Sequence, residues 1–272
     1  MANTIRIAVA TILSSACFFT AVANAECTRE GLLAAAASYL TAQRTGSIDG
    51  LPLAAGAGAN FTYRENNAAA DIDSGSSMLA QALAIDLNRT SADVEACASY
   101  TLIISSSGAT PYVIGTQIRH PADNDTSQIA SIDTIAATAG DLFFDAARTL
   151  ALVEAEDWGE LAEADRPARE ELRRIGDAYL DMWTDAGAAD SIPWGTDCER
   201  VEGSALTRPC GATLPRGGSA TPNGNRRYVI DEVLGSVDVL CSFDSLGDMP
   251  DSHEVRVEAG KVKYVHTITV LN

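Results

Sequence analysis

The chain has 272 residues, a formal charge of −18 and 46% apolar residues. A surface this acidic repels nucleic acid and anionic lipid, so neither is expected as a partner. The length fits two domains of ordinary size, each able to bury a core, and neither a low-complexity tail nor a long charge block marks a disordered arm.

The first residues point to a compartment. Arg6 precedes an apolar run from Ile7 to Val22, and Ala23-Asn24-Ala25 offers a signal-peptidase site, so residues 1–25 are expected to be removed. The apolar run is shorter than the roughly 20 residues a spanning helix needs, and no other membrane segment is evident. Removal of Arg6 makes the remaining chain one unit more negative. Export or residence in the secretory lumen is the expected localisation.

Cysteine usage agrees with that route. Cys17 leaves with the signal, and Cys27, Cys97, Cys198, Cys210 and Cys241 remain. The simplest pairing joins Cys27 to Cys97 and Cys198 to Cys210, leaving Cys241 as a small hydrophobe in an apolar strand, although spacing does not fix connectivity. Acceptor sequons at Asn60, Asn88 and Asn124 suit surface positions of a glycoprotein.

Along the chain, Leu32, Leu33, Ala36, Ala37 and Leu40 recur at helical spacing within Thr28 to Gln43. Phe61 to Glu65 reads as a short strand and Ser76 to Leu87 as a second apolar helix. Ala96 to Ser106, Pro111 to Arg119 and Ser127 to Thr138 are strand-forming runs separated by turns. The second half repeats that order. Arg169 to Thr184 is an amphipathic helix with Leu172, Ile175, Tyr179, Leu180 and Trp183 on one face. A loop from Pro193 to Cys198 follows, and then come Arg226 to Val233, Ser236 to Phe243 and a hairpin from His253 to Val270 that turns at Ala259-Gly260-Lys261. Helices followed by an antiparallel meander, twice over, indicate an α+β tandem repeat with its boundary in Glu156 to Arg169. The expected parts are residues 1–25 as signal, 26–155 as a first domain and 156–272 as a second.

The segments Glu156-Asp-Trp-Gly, Gly176-Asp-Ala-Tyr-Leu-Asp, Pro193-Trp-Gly-Thr, Arg226-Arg-Tyr-Val-Ile-Asp-Glu and Pro250 to Glu258, continuing through Tyr264 to Val270, resemble a family of secreted fungal proteins. The resemblance covers nearly all of the chain after the signal and is densest after Glu156. It implies a ketosteroid-isomerase-like, or nuclear-transport-factor-type, fold: helices packed on a strongly curved sheet around a blind cavity. Some relatives of that kind act in fungal secondary metabolism as dimerising cyclases of maleic-anhydride monomers. The chain is similar to these, and the resemblance implies a cofactor-independent isomerase or cyclase. No catalytic pattern of ketosteroid isomerase itself transfers residue by residue.

The residues that can carry such chemistry cluster late in the chain. His253 stands two residues after Asp251 and three before Arg256, and a histidine beside a carboxylate can move a proton near neutral pH; a strand-entry histidine bonded to backbone is the plainer reading. His266 and Asp231 are the other candidate acid or base groups, and either can equally lie on an outer sheet face. Arg227 and Arg256 are candidate anchors for an anionic substrate, since guanidinium forks bind carboxylates, or they pair with internal acids, as can Arg226. Trp194 and Trp183 wall a pocket or fill the core. His120 ends a strand before the Asn124 sequon and ranks lower. No His-x-x-x-His or Cys-x-x-Cys spacing suggests a metal, and no phosphate loop, dinucleotide fingerprint or Gly-x-Ser-x-Gly elbow occurs, so no cofactor is expected. The expected partner is a small-molecule substrate or ligand, with a second copy or a biosynthetic protein as further options. A non-catalytic secreted binding module or an effector is the rival reading.

Overall fold

The structure, a computed structural model, describes residues 1, 27–55, 61–122 and 125–271. The expected signal segment after Met1 and the sequons at Asn60 and Asn124 lie outside the described residues. Asn88, the third sequon, is exposed on a strand.

The first half opens with α1 (Arg29–Thr45), whose first turn is capped by Thr28, the hydroxyl of which accepts from Gly31 N at 3.1 Å. Its buried stripe includes Leu32, Ala35, Ala36, Tyr39 and Leu40. Six strands follow: β1 (Thr62–Glu65), β2 (Ala68–Ala69), β3 (Leu87–Asp93), β4 (Ala98–Ser105), β5 (Tyr112–Arg119) and β6 (Ser131–Ala137). They form one mixed sheet in the order β2-β1-β6-β5-β4-β3, antiparallel except where β1 runs parallel to β6. After α2 (Ala146–Val153), the second half has α3 (Arg169–Asp181), α4 (Ala188–Ser191), β7 (Trp194–Glu202), β8 (Ala205–Thr207), β9 (Gly224–Asp231), β10 (Ser236–Phe243), β11 (Met249–Glu258) and β12 (Lys261–Thr269). Its sheet order is β8-β7-β12-β11-β10-β9, with β7 parallel to β12.

The repetition extends to register. Each half has a hairpin with a two-residue turn, pairing Glu65 with Ala68 in one and Glu202 with Ala205 in the other. From Glu65 the cross-strand row runs through Thr134, Thr116 and Thr101; from Glu202 it runs through Thr267, His253 and Val239. One row along, Ala136, Ile114 and Ile103 correspond to Thr269, Asp251 and Cys241. On the other side, Tyr63, Ile132 and Ile118 correspond to Arg200, Val265 and Val255. The two α+β halves are therefore one lattice used twice, with different side chains on it.

In each half a helix covers one sheet face. Tyr39 and Leu40 of α1 pack on Ile103, Ile114, Ile118 and Ile132. Leu172, Ile175 and Tyr179 of α3 pack on Val237, Val239, Val255 and Val265. Gly176 lets α3 lie close to its sheet, since a Cβ there would stand 3.3 Å from methyls of Val237 and Val239. The opposite faces of the two sheets pack against each other, joining Tyr100, Leu102, Ile104, Val113 and Ile135 to Val229, Leu240, Ile268 and Val270.

Two disulfides pin the halves internally, Cys27 to Cys97 and Cys198 to Cys210, and Cys241 is a buried free thiol. Among the described residues no helix is long and apolar enough to cross a membrane.

Three expectations change. Ser76 to Leu87 is not a helix: only Met78–Ala80 forms a 3-10 turn, and Met78, Leu79 and Leu83 enter the first core from irregular backbone. Leu87–Asp93 is a strand concealed by composition, because its inner face carries Arg89, Ser91 and Asp93 instead of apolar residues. The loop expected at Pro193 to Cys198 is the beginning of β7, whose inward positions are likewise polar.

Candidate active site in the second half

Under α3 the second sheet keeps a cavity of ≈ 260 Å³ lined by Leu142, Phe143, Trp183, Glu202, Phe243, Leu246, His253, Thr267 and Thr269. Its floor is set by strand alternation. Asp251, His253 and Val255 share one face of β11, and Thr267 and Thr269 stand opposite on β12. Trp183 follows the end of α3 and meets Phe243 edge to face at 4.6 Å between centroids, making an aromatic wall. The rim comes from the first half's end. Leu142 and Phe143 follow β6 and are held to the second hairpin by Ser204, whose N and Oγ donate to the Phe143 carbonyl at 2.9 and 2.7 Å. That contact needs glycine at 203, which has φ +57° and where a Cβ would stand 2.5 Å from the Leu142 carbonyl oxygen.

His253 is the centre of the arrangement. Its side chain is 3% exposed, and its Nε2 faces Asp251 Oδ2 at 3.2 Å. Among the described residues neither ring nitrogen completes a hydrogen bond of good geometry, and Asp251 Oδ1 is also without a partner. Thr269 Oγ1 donates to Asp251 Oδ2 at 3.2 Å. Burial raises the Asp251 carboxyl above its ordinary range, and His253 and the hydrogen bonds to Asp251 oppose that shift. The ring of His253 is flanked by Tyr179 at 5.2 Å and Phe243 at 5.6 Å between centroids. The Tyr179 hydroxyl is buried beside Arg200 and, among the described residues, completes no hydrogen bond of good geometry. Burial raises its pKa, so it is a proton donor at neutral pH, in the combined field of Glu202, Arg200 and Asp251. Arg200, also buried, directs Nε towards Glu202 at 3.4 Å and donates from Nη2 to the Ala212 carbonyl at 3.1 Å. Cys241 lies across the sheet from Asp251, and burial raises its thiol pKa well above the ordinary value.

Apart from His253, the catalytic and anchoring candidates named from sequence do not meet in this cavity. Asp231 sits on the opposite sheet face and faces the seam, because strand alternation places it with Val229 and Arg227, away from α3. It accepts from Arg29 Nη1 at 2.7 Å, from Ala92 N at 2.8 Å, and from Val233 N and Leu234 N. Arg227 pairs with Asp133 of the first half at 2.6 Å and donates to the Asn67 side chain. Arg256 is buried in the seam, donates to the Gly159 carbonyl at 2.9 Å and lies over the Trp158 ring. His266 is held between two carboxylates, its Nε2 2.9 Å from Glu156 and its Nδ1 3.2 Å from Glu254, with Arg89 bridging to Glu254 at 2.6 Å and stacking on Trp158. Burial alone would lower the His266 pKa, but Glu156 and the two carboxylate hydrogen bonds overcome it and raise it to about 9. Asp231, Arg227 and, through Arg89, His266 join the halves, while Arg256 ties β11 to Trp158 and Gly159. Arg226 ties β9 to α3 through Asp177 and Asp181 at 2.9 and 2.5 Å. Trp194 lines a separate open groove with Asp197, Glu258 and Lys261, and donates from Nε1 to the Ala189 carbonyl at 2.9 Å. His120 donates from Nδ1 to the Gln128 carbonyl at 2.6 Å, far from the cavity's lining.

Sequence reading passed over Arg200, Glu202, Thr267, Leu142 and Phe143, and took Tyr179 only as a core residue. The alternation Arg200-Val201-Glu202 was the available signal, but it gains meaning only once β7 is a strand beside β12. Among the described residues no three His, Cys, Asp or Glu side chains converge as metal ligands.

Residues 165–269, which span α3 to β12, match the profile of a domain of unknown function (DUF8021). The matched stretch contains the His253 floor and the aromatic wall, and leaves Leu142 and Phe143 outside it. No curated protein and no solved structure matches the chain.

Proposed function

We propose that the second half is a ketosteroid-isomerase-like cone that catalyses cofactor-independent proton transfer on a small molecule, in an isomerisation or cyclisation. One observation carries the reading: a histidine buried to 3% exposure, set against a carboxylate at 3.2 Å, on the floor of an aromatic-walled cavity. A buried imidazole and carboxylate left without full hydrogen bonding cost stability, and such groups persist where function uses them.

The roles follow from position. Asp251 faces Nε2, fixes the ring and stabilises the imidazolium formed when His253 takes a proton, leaving Nδ1 for the substrate. The Thr267 hydroxyl on the cavity lining supplies a donor to an oxyanion or enolate, while Tyr179, kept protonated by burial, packs against the His253 ring. A positioned base of this kind contributes about 10²–10⁴-fold. Drug-sized ligand pockets run from about 300 to 1,000 Å³, so a cavity of ≈ 260 Å³ suits one small substrate. Dimerisation of two maleic-anhydride monomers is therefore the most demanding form of the proposal, since both would have to share that space. We place the protein in the secretory route of a fungal secondary-metabolite pathway; the disulfides and exposed Asn88 support this.

The test is metabolite profiling of the native host with and without the gene, complemented by wild type or by His253→Ala. The expected result is loss of a product and accumulation of its precursor, reversed by wild type alone. Identical profiles in all four strains, with saturable ligand binding by the pure protein, would make it a binder and not an enzyme.

A further inference from the structure

The charge distribution of the second-half cavity restricts what it can accept; this step rests on reading that cavity as a substrate site. Walls and rim are apolar, made by Trp183, Phe243, Leu142, Phe143 and Leu246, while the polar groups stand on the floor. Floor charges are balanced by near neighbours. Glu202 has Arg200 at 3.4 Å, and Asp251 has His253 at 3.2 Å. Arg200 does not line the cavity, and it is further held by the Ala212 carbonyl. The other candidate anion anchors, Arg227 and Arg256, are committed to the seam. An entering carboxylate would thus meet Glu202 with no arginine or lysine on the lining, and an entering ammonium would meet a carboxylate already paired. Either would give up its hydration against aromatic walls without a partner. At the opening, Phe143 and Leu246 are 58% and 52% exposed, two large apolar side chains offered to solvent beside one mouth. Exposed apolar residues gathered at a pocket rim mark a binding surface for apolar matter.

We infer that the substrate is an uncharged molecule with an apolar body of about one ring and a single carbonyl- or hydroxyl-type polar end, which enters past Phe143 and Leu246 and sets its polar end against His253. Thr267 serves as a donor to the polar end, and Trp183 and Phe243 hold the body.

Three isosteric probes separate the possibilities: benzamide (neutral), benzoate (anionic) and benzamidine (cationic), each titrated at pH 7 against the full secreted chain and followed at the His253 ring resonances by NMR. Benzamide is expected to bind at least tenfold more tightly than either charged probe. Phe143→Asp should weaken benzamide about tenfold while preserving the backbone, since Asp accepts the left-handed φ of +51° found there. Tighter binding of benzoate or benzamidine overturns the inference of an uncharged substrate and leaves the cavity as a site. Unchanged benzamide affinity in Phe143→Asp overturns the assigned entrance. If none of the three moves the His253 resonances, both this inference and the catalytic reading fall.

Discussion

The two halves place the same rows of residues under the same kind of helix, yet one is filled and the other is open. In the first, Tyr39 bonds Thr116 at 2.7 Å and Thr116 bonds Thr134 at 3.0 Å, so every hydroxyl on that row has a partner, while Ile114, Ile103 and Ala136 pack beside it. Met78 and Leu79 are pushed in from the segment between hairpin and meander, and Glu65 accepts from Met78 N, which locks that plug in place. In the second, the equivalent positions are Tyr179, His253, Thr267, Asp251, Cys241 and Thr269. The equivalent segment is drawn aside: the Cys198 to Cys210 disulfide ties it to β7, and Asn223 donates to the Leu180 carbonyl. Leu142, Phe143 and Leu246 approach the mouth. A helix-covered sheet of this topology can thus be spent on stability or on a site, and the difference lies in one row of side chains and the course of one loop.

The largest effect should come from importing the first half's residues. Asp251→Ile with His253→Thr is expected to lower product formation by at least 10²-fold, the contribution of a positioned base, while raising stability by about 1–4 kcal/mol, as replacement of buried ionic pairs does. Complementation of the deleted host and denaturant midpoints read the two quantities. A variant that stays active shows that the comparison has picked the wrong residues; one that loses activity and stability together shows that the pair is structural.

The reciprocal change removes the first half's plug. Leu79 is buried, so Leu79→Ala should cost about 2–5 kcal/mol. Turnover per folded molecule should stay within about twofold of wild type, because the two halves meet back to back and Leu79 is on the far side of the first sheet. A loss of turnover without unfolding would mean that the first half is part of the catalytic unit.

These contrasts explain what could be read from the letters. The α+β repeat and the place of Asp251 and His253 on one strand face follow from periodicity within a few residues, and the simplest cysteine pairing is the one formed, although spacing alone does not fix it. What escaped was set by the other half. β3 reads as polar because the charges of Arg89 and Asp93 are paired with Glu254 and Arg169, more than seventy residues away. Asp231, Arg227, Arg256 and His266 look like site residues for the same reason: a buried seam and an active site both need ionisable groups on strand faces, and only the choice of face separates them. Phe143 carries no motif at all; its place at the mouth depends on Ser204 and Gly203.

The seam gives the next prediction. His266 is enclosed by Glu156 on one side, Glu254 and Arg89 on the other, and the Trp158 ring. Its folded pKa of about 9 lies above the ordinary 6.5, so its contribution to stability is complete below about pH 6.5 and disappears as pH rises through 9. The amount is about 3 kcal/mol. Denaturant midpoints from pH 6 to 10 should fall in wild type and fall much less in His266→Gln. Parallel curves would show that the seam does not hold the imidazolium.

The smallest effect is expected at His120, the histidine of the first half. It has a fixed tautomer, since Nδ1 must carry the proton given to the Gln128 carbonyl, and burial lowers its pKa, partly offset by that hydrogen bond and by Asp125. The unfolded chain therefore binds the proton more readily. His120 should withdraw stability as pH falls through 6.5, opposite in sign to His266. His120→Gln keeps an N–H donor and should change stability by less than about 1 kcal/mol, in line with changes that create no cavity or unpaired charge. It should leave product formation unchanged and remove a small acid-side loss from the pH curve. A measurable fall in product would place chemistry in the closed half and break the division of labour between the two halves.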